Sequence, residues 1–205
     1  NIAGGDIHSV RWSERELRAT SLVAWHLSSY LEAIMNIRNI LTVTALGLIS
    51  CHALARITVT SPAFSNNGTL PNEFTYSYSN QCSGANMSPP LNWSNVPVGT
   101  RSFAIMNVDV DGGNYLHWKI WNIDASTTGL PLNAAVISSG FQQGRNSSAT
   151  VGYEGACPPA PNNHRYTFTV YALNTTFTSE PSLAEITAAT IDSGVLQANR
   201  SASSN

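Results

Sequence analysis

Residues 152–166 read GYEGACPPAPNNHRY, and the run TFTVYAL that follows them alternates polar and apolar residues, as a half-buried strand does. Glycines permit backbone angles that other residues avoid, and prolines stiffen the loop, so its shape is largely set before a ligand arrives. The loop is followed by an imidazole, a guanidinium and a phenol in consecutive positions, at His164, Arg165 and Tyr166. Preorganised polar groups at the start of a strand are typical of a site for a small polar ligand. The alternative is a rigid connection in which His164 is hydrogen-bonded for packing alone.

A second stretch, residues 108–118, reads VDVDGGNYLHW and also places charged groups around a glycine turn. Asp109 and Asp111 precede the two glycines, and His117 follows them. The flanking segments, 102–110 and 117–123, are the strongest strand candidates in the chain, and the turn between them predicts a hairpin.

Side-chain alternation predicts which residues of these strands share a face. The core face of the later strand carries Tyr166, Phe168 and Val170. One face of the strand after the glycine turn carries His117, Lys119 and Trp121, and the other carries Trp118, Ile120 and Asn122. Arg165 falls on the face opposite the core, so we expect it to donate a structural salt bridge rather than to bind an anion.

The rest of the body consists of short strand candidates separated by turn-rich loops, such as residues 57–60 before Ser61-Pro62. Helical spacing of apolar residues from Ser182 to Ala198, after Glu180-Pro181, predicts a late helix. This pattern predicts a mostly β fold, an antiparallel Greek-key-like β-sandwich with one or two short C-terminal helices.

Composition narrows the function classes. The chain has 205 residues, of which 42% are hydrophobic and only 11% charged, so one globular domain with a good core is expected. From Arg56 onward there are six basic and eight acidic residues, a balance that argues against nucleic-acid binding. An anionic ligand must therefore meet a local pocket rather than a basic surface.

The N-terminal segment does not resemble the rest of the fold. Residues 35–55 combine a basic start, an apolar run over 40–49 and a small-x-small pattern at 53–55, which predicts a signal peptide cleaved before Arg56. The protein would then be secreted or periplasmic, with residues 56–205 as a single domain. A lipobox-like LISC at 48–51 offers the alternative of a lipid anchor on Cys51. We interpret residues 1–34 as a non-native upstream extension, the alternative being an amphipathic helix.

Removal of that segment leaves two cysteines, Cys82 and Cys157. An even pair in an exported chain suggests a disulfide, which would tie together two motif-bearing loops. Two buried free thiols are the alternative, because the distance between them cannot be judged from sequence.

Several motifs in one order resemble the phosphatidylethanolamine-binding protein family, also called Raf kinase inhibitor protein-like, and its bacterial-type branch in particular. Residues 82–93, CSGANMSPPLNW, are similar to that branch's C-x-G-x-N-x-S-P-P-L-x-W block. The motifs at 108–118, 144–146 and 152–166 follow in the expected order. The resemblance covers about Ile57 to Leu196. Two prolines of the family's D-P-D-x-P motif are missing here, where the chain reads DVDGG at 109–113.

The resemblance implies a pocket for a small phosphate-bearing anion or a lipid head group. By motif, its members here are Asp109, Asp111, His117, Gly155, Ala156, Cys157, Pro158, His164 and Tyr166. Imidazoles, a phenol and turn amides would donate hydrogen bonds to the anion, and the two carboxylates would orient the imidazoles. A carboxylate could also accept a hydrogen bond from a ligand ammonium group.

Other functions have less support in the residues. The chain lacks the G-x-S-x-G nucleophile elbow that a serine hydrolase would need. A metal site at Asp109, Asp111, His117 and His164 has suitable ligand types but no supporting spacing motif. We therefore expect no enzymatic activity, no metal and no cofactor. The main alternative to a binding protein is an extracellular inhibitor or effector that contacts a kinase, protease or host signalling protein through its surface.

Overall fold

The computed structural model describes residues 56–78, 82–137 and 139–202, which form a mostly antiparallel β-sandwich. The predicted signal peptide, the predicted upstream extension and the alternative of a lipid anchor on Cys51 concern residues outside this part of the chain. The strands are β1 (Thr58–Thr60), β2 (Gly68–Thr69), β3 (Ser77–Tyr78), β4 (Cys82–Ser83), β5 (Leu91–Ser94), β6 (Ser102–Asp109), β7 (Tyr115–Asp124), β8 (Gly129–Leu130), β9 (Gln142–Gln143), β10 (Asn163–Leu173) and β11 (Thr190–Ser201). The helices are α1 (Ala134–Ile137), α2 (Leu183–Ala189) and a 3₁₀ turn at Asn72–Phe74.

The central sheet has six strands in the order β2-β11-β10-β6-β7-β9. The hairpin β6–β7 and the long antiparallel pair β10–β11 lie side by side because β10 returns to pair with β6, which gives the Greek-key-like arrangement. A three-stranded sheet, β1-β5-β8, forms the second layer, and β3 and β4 make a separate ladder. Within the described residues no helix is long and apolar enough to cross a membrane.

The main core lies between the two layers. Phe103, Trp118 and Phe168 of the central sheet join Leu91 and Trp93 of the smaller sheet in one buried cluster. The alternation expected for β10 is confirmed, since Tyr166, Phe168 and Val170 are all fully buried. A smaller cluster on the opposite face of the central sheet packs beneath α2. The central sheet is therefore covered on both faces, but unequally.

The predicted late helix is much shorter than its apolar spacing suggested. Ser182 and Glu185 form a capping box at its start, as a short helix needs. The helix ends at Ala189, and Thr190 begins β11, which pairs along most of β10. A long antiparallel ladder satisfies the backbone of this segment and overrides its local helical spacing. The helix predicted over 182–198 was therefore wrong beyond Ala189.

Two bulges in β7 also correct the predicted alternation. The register with β6 shifts between Asn107 and Val108, leaving His117 without a directly paired residue. A bulge re-aims a side chain; His117 accordingly meets Tyr166 of the main core face, whereas Lys119 bonds to Pro181 on the opposite side. A second shift lies at Asn122, which has a positive φ of 56°. The prediction that His117 and Lys119 share a face was thus wrong.

Candidate functional site

A cavity of about 660 Å³ opens where β6 ends and where β7 and β10 begin. This volume suits a small organic ligand. Its lining consists of Tyr76, Asp109, Gly112, Tyr115, His117, Ser148, Thr150, Glu154, Gly155, Cys157, Pro158, Pro159, His164 and Tyr166. Of the nine residues that the motifs predict as ligand-binding, seven line this cavity, while Asp111 and Ala156 do not.

His164 and Asp109 form the buried ion-pair partners of the site. His164 Nδ1 lies 2.7 Å from Asp109 Oδ2. The two residues are brought together because Asp109 ends β6 and pairs in register with Tyr166, two positions after His164 on β10. A carboxylate at this distance holds the hydrogen on Nδ1 and fixes the ring's orientation. The expectation that Asp109 orients an imidazole thus matches the geometry of His164.

The second carboxylate oxygen of Asp109 organises the β6–β7 turn. Asp109 Oδ1 accepts hydrogen bonds from the backbone N–H groups of Asp111, at 3.0 Å, and Gly112, at 2.7 Å. A side chain on Gly112 would place its Cβ only 2.7 Å from Asp109 Oδ2. Glycine is therefore needed where the turn passes over the carboxylate. The turn lacks the family's prolines, and this carboxylate supplies a constraint in their place.

His117 is held differently. Its Nδ1 lies 2.9 Å from the backbone carbonyl oxygen of Glu154, which accepts the hydrogen bond. The ring packs edge-on against Tyr166 with a centroid distance of 5.2 Å, and Tyr115 lies on another side at 4.9 Å. Burial lowers the pKa of His117 below its ordinary value, more than the nearby acceptors raise it. His117 is thus a buried imidazole positioned by backbone rather than by an aspartate.

Asp111 is held by Arg165 and is not among the residues that line the cavity. Its carboxylate is bound by Arg165 in a two-pronged contact, with Nε at 2.9 Å and Nη2 at 2.7 Å. The Arg165 guanidinium and backbone N–H hold the pKa of Asp111 down to about 2. The salt-bridge role predicted for Arg165 is confirmed, and the idea that Asp111 orients an imidazole is wrong. Strand alternation explains both, because it turns Arg165 away from the cavity.

Residues 155–158 form one wall of the cavity, and several contacts fix their position. The Gly155 N–H donates to Asn86 Oδ1 at 2.7 Å, so this amide is already occupied and is not free for an anion. The Ala156 carbonyl accepts from Tyr76 N–H at 3.1 Å. Ala156 itself is buried in the core, which is why it does not line the cavity. A Cβ on Gly155 would lie 2.4 Å from the Thr75 carbonyl carbon, so the wall passes tightly over Thr75.

The predicted pair Cys82–Cys157 forms a disulfide with a Cα–Cα distance of 5.8 Å. Cys157 lines the cavity and Cys82 is buried, so the bridge connects the cavity wall to the loop that carries the CSGANMSPPLNW motif. The wall is therefore tied covalently as well as by hydrogen bonds.

The sequence did not predict the polar side chains at the rim of the cavity. Glu154 accepts hydrogen bonds from Ser148 Oγ at 2.5 Å and from the Tyr115 hydroxyl at 3.3 Å. The loop that carries Ser148 and Thr150 is shaped by Asn146, whose Oδ1 accepts from the N–H groups of both. Tyr115 and Glu154 lay within the two motif stretches, two and one positions from residues already chosen. Their proximity to those residues was the available signal.

The charge of the lining is unusual for an anion site. It includes two carboxylates, Asp109 and Glu154, and two imidazoles, but no lysine or arginine. Within the described part of the chain, no group of three or more His, Cys, Asp or Glu side chains is placed to hold a metal ion. Positive charge in the cavity therefore comes from the histidines when they are protonated.

The Tyr166 hydroxyl is a further polar group of the cavity. Its oxygen is buried and makes no hydrogen bond of standard geometry to a described residue, although the Asp109 carboxylate is close enough to act on it. Burial raises the pKa of Tyr166, and the charge of Asp109 raises it further, so the hydroxyl stays protonated and can act as a donor. A buried donor that lines a cavity and is not fully engaged by the protein is suited to a ligand or to water.

Comparison with known proteins agrees with this architecture. A family model described as phosphatidylethanolamine-binding protein matches residues 60–201. A UPF0098 protein of Methanothermobacter thermautotrophicus is 41% identical over 124 residues, which are 58% of this chain and 78% of that protein. The Escherichia coli UPF0098 protein YbcL is 44% identical over 103 residues, 46% of this chain and 56% of YbcL.

The crystal structure of YbcL, described as a new member of the mammalian PEBP family, superposes with a TM-score of 0.65. The superposition covers 72% of this chain and 99% of YbcL at 34% identity. Because the family model spans well over half of the chain and includes both stretches that build the cavity, the chain belongs to the phosphatidylethanolamine-binding protein family.

Proposed function

We propose that this protein binds a small phosphate-bearing anion or phospho-headgroup in the cavity at the ends of β6, β7 and β10. The observation that carries the proposal is the convergence of the His164–Asp109 pair, His117 and the Tyr166 hydroxyl on one cavity. The Tyr166 hydroxyl can donate a hydrogen bond to an anionic oxygen, and each imidazole can do so once it is protonated at Nε2. The role proposed is binding rather than catalysis, because the lining offers no recognisable nucleophile and base pair.

The protonation state of the two imidazoles governs what they can donate. In both rings Nδ1 is engaged with a protein oxygen, Asp109 Oδ2 for His164 and the Glu154 carbonyl for His117. The neutral ring then presents Nε2 as an acceptor, and only the imidazolium presents it as a donor. Binding of a phosphate anion should therefore be coupled to proton uptake, so affinity should rise as the pH falls through histidine titration. That rise should reverse once phosphate gains a second proton.

The Glu154 carboxylate adds a second element of selectivity. It is held at the rim by Ser148 and Tyr115, and it is within the same cavity lining as the imidazoles. An ammonium group attached to the phosphate could accordingly be held by this carboxylate, which would offset its repulsion of the anion. We propose that phosphoethanolamine binds more tightly than inorganic phosphate.

Calorimetric titration tests the proposal. Inorganic phosphate and phosphoethanolamine would be titrated against residues 56–205 between pH 5 and 8, with wild type and His164→Ala. The matched control is Lys119→Met, which alters a buried charge on the opposite face of the same sheet. His164→Ala should abolish most binding, while the control should bind as wild type does. No heat of binding at millimolar ligand, or equal affinity in His164→Ala, would contradict the assignment.

We also propose that the natural protein is exported. The support is the signal-like segment at 35–55 and a similarity to LppC of Mycobacterium tuberculosis, whose name describes a candidate lipoprotein; the two are 35% identical over 136 residues. Mass spectrometry of the natural product should find Arg56, or a lipidated Cys51, at its N-terminus. A cytosolic chain that retains residues 39–55 would contradict export.

A further inference from the structure

We propose that Asn107 and the Tyr166 hydroxyl form a buried subsite beneath the cavity that holds one ordered water molecule. In this arrangement the water directs the tyrosine hydroxyl toward whatever occupies the cavity. The water site stands on its own, and only its effect on ligand affinity rests on the proposed function.

Asn107 is the main observation. The residue is fully buried, and neither its Nδ2 nor its Oδ1 has a hydrogen-bond partner among the described residues. A buried amide left unpaired carries a cost in stability for each unsatisfied group. Apolar side chains of similar size would avoid this cost on a core strand. A water molecule that accepts from Nδ2 or donates to Oδ1 would remove it.

The register of the central sheet places Asn107 next to Tyr166. Asn107 pairs with Phe168 on β10, and Asp109 pairs with Tyr166. Residues 107 and 109 point to the same face, since successive side chains of a strand alternate. Asn107 and Tyr166 are therefore diagonal neighbours, a relation in which Cα atoms lie about 7–8 Å apart. Diagonal neighbours can be joined through one water molecule where their polar atoms approach within two hydrogen-bond lengths.

The immediate neighbours of Asn107 cannot satisfy it. On β10 it faces Phe168, which has no polar atom in its side chain. On β7 it faces Trp118, whose Nε1–H already donates to Gln143 Oε1 at 2.8 Å. The bulge at His117 lies directly beside Asn107, and bulges disrupt the ladder locally. Neither cross-strand neighbour of Asn107 therefore offers it a free polar side-chain atom.

The bridge has a consequence for the tyrosine. A water held by Asn107 Nδ2 can donate its own hydrogen to the Tyr166 oxygen, which leaves the phenolic hydrogen free to point into the cavity. A Tyr166 hydroxyl without that water would be free to turn toward the nearby Asp109 carboxylate. Asn107 is therefore a positioning residue that acts through water, and not a group that contacts the ligand.

A crystal structure that resolves ordered water would test the site directly. In the wild-type protein, one water should lie about 2.7–3.2 Å from both Asn107 and the Tyr166 oxygen. In Asn107→Leu this water should be absent, while in Met106→Leu, a neighbouring change on the opposite face, it should be present. A direct hydrogen bond between Asn107 and a protein group, or no water beside Asn107, would overturn the proposal.

Titration of inorganic phosphate separates this inference from the proposed function. Asn107→Leu should weaken phosphate affinity about threefold to tenfold, the effect of losing one bridging hydrogen bond, with Met106→Leu unchanged. Wild type that holds the water but binds no phosphate would refute the proposed function and leave the water site supported. Should Asn107→Leu fail to fold, Tyr166→Phe provides the structural test, because it removes one of the water's two partners and should lower its occupancy. Unchanged occupancy in Tyr166→Phe would overturn the bridge.

Discussion

Two short contacts between a basic and an acidic side chain lie on opposite faces of the central sheet, and they differ in what surrounds them. On one face His164 meets Asp109 at 2.7 Å and lines an open cavity. On the other, Lys119 Nζ meets Glu180 Oε1 at 2.7 Å and the Pro181 carbonyl at 3.0 Å beneath the start of α2. Both pairs have similar geometry, so distance alone does not distinguish them.

The difference lies in which hydrogen-bonding capacity the protein itself satisfies. Lys119 has two protein acceptors and packs under a helix, as expected of a structural pair. On the His164 face, by contrast, the Asn107 amide and the Tyr166 hydroxyl make no hydrogen bond of standard geometry to a described residue. A fold retains unsatisfied buried groups at a cost in stability, so these groups are candidates for contact with a ligand or with water. Variants that separate stability from binding can test this contrast.

The largest effect on stability should come from removing the disulfide beside the cavity. Replacement of Cys82 and Cys157 by alanine should lower the free energy of unfolding by about 2–4 kcal/mol, because the bridge closes a long loop in the unfolded chain. Urea denaturation of the variant against the oxidised wild type measures this loss. Two titratable free thiols in natively purified wild type would contradict the bridge itself.

Lys119→Met should be the next most destabilising change, with a loss of about 1–3 kcal/mol and no change in phosphate affinity. Removal of one partner from a buried pair leaves the other charge uncompensated. The Glu180 side chain is 41% exposed, so water can hydrate its carboxylate and the loss stays below that of a fully buried pair. Chemical denaturation and calorimetry on one sample give both values. A large loss of phosphate binding would erase the contrast between the two faces.

Asp109→Asn should weaken phosphate affinity about tenfold, equivalent to about 1.4 kcal/mol. The amide oxygen can still accept from the turn amides, but it binds the His164 Nδ1–H less strongly than a carboxylate does and orients the ring less firmly. The site should then gain less from proton uptake, so the pH dependence of binding should be flatter than in wild type. Isothermal titration between pH 5 and 8 measures both, and Arg165→Ala serves as the control because Arg165 is turned away from the cavity. Wild-type affinity and pH dependence in Asp109→Asn would show that this pair does not act on the ligand.

The smallest effect concerns the pH dependence of stability through His117. Burial lowers its pKa, so the unfolded chain binds a proton there at a higher pH than the folded protein does. Stability due to neutral His117 should be fully present above about pH 6.5 and should decline as the pH falls below that value. The carboxylate of Asp111, with a pKa of about 2, contributes only in a more acidic range. Urea midpoints of wild type and His117→Gln between pH 5 and 8 should converge toward acid pH; parallel curves would refute this.

The sequence predicted those site residues that lie in motifs at strand ends. The resemblance implied that Asp109, His164 and Tyr166 belong to one pocket, while side-chain alternation indicated only which residues of each strand share a face. The salt bridge between Asp111 and Arg165 could not be predicted. Side-chain alternation indicates the face on which a residue lies, but not which residue of another strand it contacts. The bulge at His117 could not be predicted because it depends on how β7 pairs with β6. The end of α2 could not be predicted because it depends on the pairing of β11 with β10. Asn107 carries no motif, and only its burial without a partner reveals it.

Nuclear magnetic resonance titration of the wild-type domain with inorganic phosphate tests the central claim most directly. The account predicts saturable chemical-shift changes at Gly112, Gly155 and the His117 and His164 rings, with Lys119 and Glu185 on the opposite face unaffected. The changes should grow as the pH is lowered from 8 into the range of histidine titration, until phosphate gains its second proton. An absence of saturable shifts at millimolar phosphate, or shifts confined to the face beneath α2, would contradict it.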